Sequence, residues 1–130
     1  PVIYFLEQNP EYAQRVNEIF DLIDSGNGPV VAASAVTLAE TLIIPCRLNM
    51  AQLQSDFNNI LAHNPDAIFV PLGPNEARLA AQIRARYNLS LTDSFQISCA
   101  IAAGCEAILT NDHQFRQVTE VRTIILDDLT

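Results

Sequence analysis

The sequence predicts a three-layer α/β/α domain with a mostly parallel central sheet. Short apolar or β-branched runs alternate with longer segments in which apolar residues recur at helical spacing. Strands joined through helical crossovers give a parallel sheet with helices on both faces. At 130 residues the chain is read as a single domain, 1–130, large enough to bury a core without staples. No internal repeat, low-complexity tract or linker interrupts it.

Taken in order, Val2–Leu6 reads as a strand or as the first turns of a helix, with Pro1 suited to a helix start. Tyr12, Val16, Ile19, Phe20 and Ile23 mark an amphipathic helix that Gly26 and Gly28 close. Pro29–Ala33 is a buried strand. Ser34 is a natural N-cap for a helix through Leu42, which Pro45 is expected to stop. Met50, Leu53, Phe57, Ile60 and Leu61 mark another amphipathic helix, ended by Asn64 and Pro65, and Ala67–Pro71 is the next strand. Pro74 opens a helix with Leu79, Ile83 and Tyr87 stacked on one face, while Arg78 and Arg84 leave the others and Arg86 lies near its end. Asn88 and Ser90 break it.

The most informative stretch follows, from Leu91 to Phe115. Thr92 is read as a helix cap, with Asp93 in the first turn, where the helix dipole favours a carboxylate. Phe95–Ala103 is apolar almost all round, which predicts a buried helix, and Gly104 ends it. Ala107–Thr110 is a short buried strand running into Asn111 and Asp112; His113–Gln117 is a turn or short helix, and Thr123–Leu126 a last strand. Open α/β sheets gather ligands at the carboxyl ends of strands and the amino ends of helices. Asp93 and Asp112 are therefore expected to meet.

Composition narrows the classes. Hydrophobic residues make up 49% of the chain, which excludes a disordered segment. No apolar run approaches the roughly 18 residues of a membrane span, and no basic leader precedes a cleavage site, so the reading is a cytoplasmic protein without membrane association. Cys46, Cys99 and Cys105 are an odd set without metal spacing, and Cys99 reads as a small buried thiol. His63 and His113 stand apart from each other and from the cysteines, which argues against zinc. The formal charge is −8, and all seven basic residues are arginine. That balance argues against indiscriminate nucleic-acid binding, yet suits an enzyme that holds its substrate with a few arginines and metal ions.

Glu40, Asp93 and Asp112 stand at comparable places on helices and after a strand. Carboxylates clustered without histidine or cysteine suit hard cations, Mg²⁺ or Mn²⁺. Singly, Glu40 also reads as an exposed helix residue, Asp93 as a helix-terminus acid and Asp112 as a turn acid.

Three passages together resemble the PIN domain family, metal-dependent ribonucleases that include the VapC-type toxins of bacterial toxin–antitoxin pairs. They are Ser34-Ala35-Val36-Thr37-Leu38-Ala39-Glu40, then Leu91-Thr92-Asp93 with the apolar helix behind it, and Leu109-Thr110-Asn111-Asp112 with Phe115 after it. The resemblance implies a PIN-like fold, and it implies that Glu40, Asp93 and Asp112 are catalytic residues holding one or two Mg²⁺ or Mn²⁺ ions. It also implies that Thr110 and Asn111 support them closely. It implies hydrolysis of RNA, a small antitoxin partner and a homodimer. Arg84 and Arg86 are candidate RNA phosphate contacts, although they read first as solvated helix charges. The family's first acid ends its first strand, just before a passage like Val2–Glu7; the sequence begins at Pro1, after that point, and Glu7 is a poor substitute. The expectation is that the amino end is trimmed and that the native chain supplies both strand and aspartate. Two alternatives stay open: a catalytically inactive PIN-like protein-interaction module, and more remotely a flavodoxin-like binding domain, against which stands the lack of a glycine-rich phosphate loop.

Overall fold

The computed structural model describes residues 31–63, 67–110 and 112–129. The expected elements within 1–30, and the Asn64-Pro65 helix stop, lie outside the described residues. The chain divides into two compact units, Pro1–Phe69 and Val70–Thr130, and each is described by itself.

In the first unit, strand β1 (Val31–Ser34) leads directly into helix α1 (Ala35–Arg47). Ser34 makes that junction: its extended backbone ends the strand, and its Oγ accepts the Thr37 N–H at 3.1 Å, satisfying one of the helix's open donors. The buried stripe of α1 is Thr37, Thr41 and Pro45, one residue per turn. Pro45 does not stop the helix, as the sequence suggested, but sits inside its last turn. The ring removes a single N–H there, the one that would reach the Thr41 carbonyl, and leaves the rest of the helix ladder in place. The Pro45 carbonyl instead receives Met50 N–H (2.9 Å) and Gln54 Nε2 (3.2 Å), which folds helix α2 (Ala51–Ala62) back against α1. Phe57 and Leu61, four residues apart, form the buried face of α2. Strand β2 (Ala67–Val70) pairs with β1.

The second unit carries the larger described core. Pro74 opens helix α3 (Pro74–Tyr87), and Glu76 reaches back to accept the Gly73 N–H at 2.9 Å. Asn88, in the left-handed region at φ 55, closes α3. Helix α4 (Leu91–Ala102) follows after two residues and packs along α3. Ile83, Leu89, Ile97, Phe115, Val118 and Val121 form one buried cluster. The helix expected to be buried is so along most of its length: of Phe95 to Ala103 only Ala102 is exposed, and Ser94, Ile97 and Ser98 are fully covered. The two serines tolerate this because their hydroxyls donate to carbonyls of their own turn, Ser94 to Ser90 at 2.8 Å and Ser98 to Phe95 at 3.1 Å.

Gly104 ends α4 as expected. At φ 71 its N–H reaches the Ile101 carbonyl (3.0 Å) while Cys105 N–H reaches Ala100 (2.9 Å), a Schellman closure. An added Cβ would meet no atom within 4 Å, so only the backbone conformation resists it. Gly104→Ala is expected to cost about 1 kcal/mol, read as a small drop in thermal midpoint without loss of the fold.

Strand β3 (Ala107–Thr110) pairs in parallel with β4 (Arg122–Ile125), Ala107 opposite Arg122 and Thr110 opposite Ile125. A 3-10 helix, His113–Gln117, lies in the crossover; it is tied to β4 where Thr123 Oγ1 donates to the Phe115 carbonyl at 2.9 Å. A second 3-10 helix, Leu126–Leu129, follows β4, and Arg116 pairs with its Asp128. The architecture is helix-rich α/β with short parallel strands, the fold class expected. Among the described residues no helix is long and apolar enough to cross a membrane.

Candidate functional site

Asp112 stands two residues beyond the carboxyl end of β3, and two hydrogen bonds fix it from either side. Its N–H donates to Thr110 Oγ1 at 3.1 Å, and its Oδ1 accepts the Gln114 N–H at 2.9 Å as cap of the 3-10 helix. Thr110 is buried, so its hydroxyl is a rigid anchor rather than a surface group. Thr110 thereby fixes the main chain of Asp112. Asn111, between them, lies outside the described residues. Phe115 is buried at 4% exposure and pins the far end of this turn to the core.

Asp93 occupies the first turn of α4, and α4 packs against β3. The cap is Ser90, not Thr92. Ser90 Oγ accepts the Asp93 N–H at 3.1 Å, and Thr92 is the second helical residue, exposed. The sequence carried this signal as Ser-x-x-Asp, a capping-box spacing one turn ahead of the apolar run. Asp93 is half-buried at a helix amino end, where open N–H groups attract negative charge.

Glu40 lies in α1 of the first unit, half-buried beside the Thr37–Thr41 stripe. Its helix start is held by Ser34, whose Oγ also lies 3.2 Å from Thr37 Oγ1. The first unit thus holds one of the three expected acids, and the second unit holds two. Among the described residues no group of three histidine, cysteine, aspartate or glutamate side chains is arranged to hold a metal ion.

Arg84 and Arg86 each have a partner within the second unit. Arg84 Nη1 donates to the Leu89 carbonyl at 2.6 Å, tying the α3–α4 turn. Arg86 pairs with Glu120 at 2.7 Å, and Tyr87 donates its hydroxyl to the same Glu120 Oε1 at 2.6 Å. These bonds, the Tyr87 hydrogen bond foremost and Arg86 next, hold the Glu120 carboxyl below its ordinary range. A depressed folded-state pKa contributes stability that is fully present above the unfolded value and is lost as pH falls through the folded one. Glu120→Gln is therefore expected to lower the thermal midpoint at pH 7, and the gap should close as the pH drops below the ordinary glutamate range. A gap that widens in acid would contradict it.

Cys99 is buried, as expected, and burial pushes its thiol pKa up, which leaves it protonated and inert.

The donors present fit one class of cation. Asp93 and Asp112 offer carboxylate oxygens alone, and Asp112 keeps its second oxygen outside the cap to Gln114. An oxygen-only set of this kind suits Mg²⁺ or Mn²⁺ rather than zinc.

Neither the curated proteins nor the solved structures compared with the chain gave a match. A family model did: the PIN domain model matches residues 2–121, which takes in Glu40, Asp93 and Asp112 and runs through both compact units. A match along so much of the chain shows that it belongs to the PIN domain family, whose members are generally nucleases and typically use divalent metals.

Proposed function

We propose that this chain is a divalent-metal-dependent endoribonuclease, the toxin of a toxin–antitoxin pair, which works as one PIN domain over residues 1–130. The observation that carries the enzymatic reading is the placement of two acids in one unit. Asp93 lies at the amino end of α4 and Asp112 beyond the carboxyl end of β3, with α4 packed on β3 and each acid's amide held by a hydroxyl. That is where an α/β fold delivers groups to a ligand.

Asp93 and Asp112 are the proposed metal ligands, with Thr110 and Asn111 in support. Glu40 is proposed in the same role on the strength of its passage alone. A cation bound to these carboxylates supplies charge neutralisation and Lewis-acid polarisation at a phosphodiester. The residues themselves set where it sits. Thr110 fixes the main chain of Asp112, and the cap to Gln114 leaves one Asp112 oxygen to turn outward. Arg84 and Arg86 are the proposed phosphate contacts. Each has spare N–H donors beyond its internal bond, since a guanidinium carries five.

The toxin role, a small antitoxin and a homodimer rest on the likeness of the three passages to VapC-type members. A second reading, an inactive interaction module, is favoured by the net charge of −8, which repels a polyanion unless cations intervene. The two part in a simple assay. The enzyme, assayed as the native full-length protein, is expected to cut single-stranded RNA with Mg²⁺ or Mn²⁺ and to stop when EDTA removes the metal. No cleavage under any metal would leave the module.

A further inference from the structure

Ser90 belongs to no passage that carries the family likeness, yet four bonds converge on it and on the residue before it. Its Oγ accepts the Asp93 N–H at 3.1 Å. Its carbonyl accepts two donors from Ser94, the N–H at 3.0 Å and the hydroxyl at 2.8 Å, and Ser94 is 0% exposed. The residue before it, Leu89, is buried at 1% exposure, and its carbonyl is held by Arg84 at 2.6 Å. Ser90 is thus fixed to the core from both sides, and it passes that fixity to the amide of Asp93. Asp112 is served in the same way by the buried hydroxyl of Thr110, again at 3.1 Å.

We propose that Ser90 is a positioning residue for Asp93: it holds the first turn of α4 so that the carboxylate stands ready for a divalent cation. The inference rests on the metal-site reading above. An aspartate side chain has only two torsions, so the turn that carries it decides where its oxygens stand. Groups behind metal ligands are effective because they remove the cost of ordering the ligand at the moment of binding. Removing the hydroxyl lets the first turn fray, and the cation must then order it.

The two ends of α4 give the control. Gly104→Ala strains the helix at its carboxyl end, away from Asp93, whereas Ser90→Ala loosens it at the amino end. Mn²⁺ binding to the protein, followed by the electron paramagnetic resonance signal of the free ion, needs no RNA and no turnover. Ser90→Ala is expected to weaken Mn²⁺ binding by roughly 3- to 10-fold, on the scale of a lost helix cap. Ser90→Thr, which restores a capping hydroxyl, should recover it. Gly104→Ala should leave it unchanged despite a comparable fall in thermal midpoint. Unchanged binding in Ser90→Ala, or an equal loss in Gly104→Ala, overturns the positioning role. Asp93→Asn separates this from failure of the underlying reading: if the protein binds no Mn²⁺ that Asp93→Asn removes, the metal site itself is wrong, and the role of Ser90 goes with it.

Discussion

Asp93→Asn will bring metal-dependent RNA cleavage down to background, a fall of roughly 10²-fold or more, while the protein stays folded. The substitution keeps the size of the side chain and removes its charge. The fold loses only the attraction between that charge and the amino end of α4, about 0.3–1 kcal/mol. Asp112→Asn should do the same to activity, for a reason visible in its hydrogen bonds. Asparagine caps as well as aspartate, so the bond from Gln114 N–H survives and the 3-10 helix keeps its start. Asp112→Ala removes cap and charge together and should cost stability as well. Cleavage rates with Mn²⁺, set beside thermal midpoints for all three variants, separate the chemical loss from the structural one.

Ile97→Ala will cost about 3 kcal/mol and lower the thermal midpoint by ~10 °C. Ile97 is 0% exposed and lies in the cluster that Ile83, Leu89 and Phe115 complete between α3, α4 and the crossover after β3. Truncating it removes apolar area from burial and leaves a hole that fully buried neighbours cannot close. Gln82→Ala, on the exposed side of α3, should stay within about 0.5 kcal/mol and serves as the comparison. An Ile97→Ala protein as stable as this control would mean that the cluster does not hold the unit together.

Much of the second unit was legible in the sequence because local signals there agree. Pro74, Gly104 and the apolar run behind Asp93 each act within a few residues, and each element they predict is present. The misreadings came where two local rules compete. Pro45 reads as a stop from its missing N–H, but that donor is one of the last in α1, and its carbonyl gains two partners that a sequence pattern does not reveal. Thr92 and Ser90 are both capping residues, and only the backbone settles that the helix begins one residue after Ser90. The buried serines were hidden for another reason. Polarity predicts exposure, whereas Ser94 and Ser98 spend their donors on carbonyls of their own turn and so can be buried.

The candidate site was legible in kind, through acids at a helix start and a strand end, but not in its supports. Thr110 was expected as a neighbour, and its hydrogen bond to the Asp112 amide shows how a buried hydroxyl steers an acid through the main chain. The arginines show the reverse. Their spacing before Asp93 says nothing of the Leu89 carbonyl or of Glu120, partners 5 and 34 positions away that the fold brings to them.

The central claim is that Asp93 and Asp112 hold the same cation. Mn²⁺ affinity measured for the parent protein, for Asp93→Asn, for Asp112→Asn and for the double variant tests it most directly. Ligands of one ion act as a unit, so each single substitution should lose nearly as much affinity as the pair together. Losses that simply add, or an affinity that neither substitution changes, would contradict it.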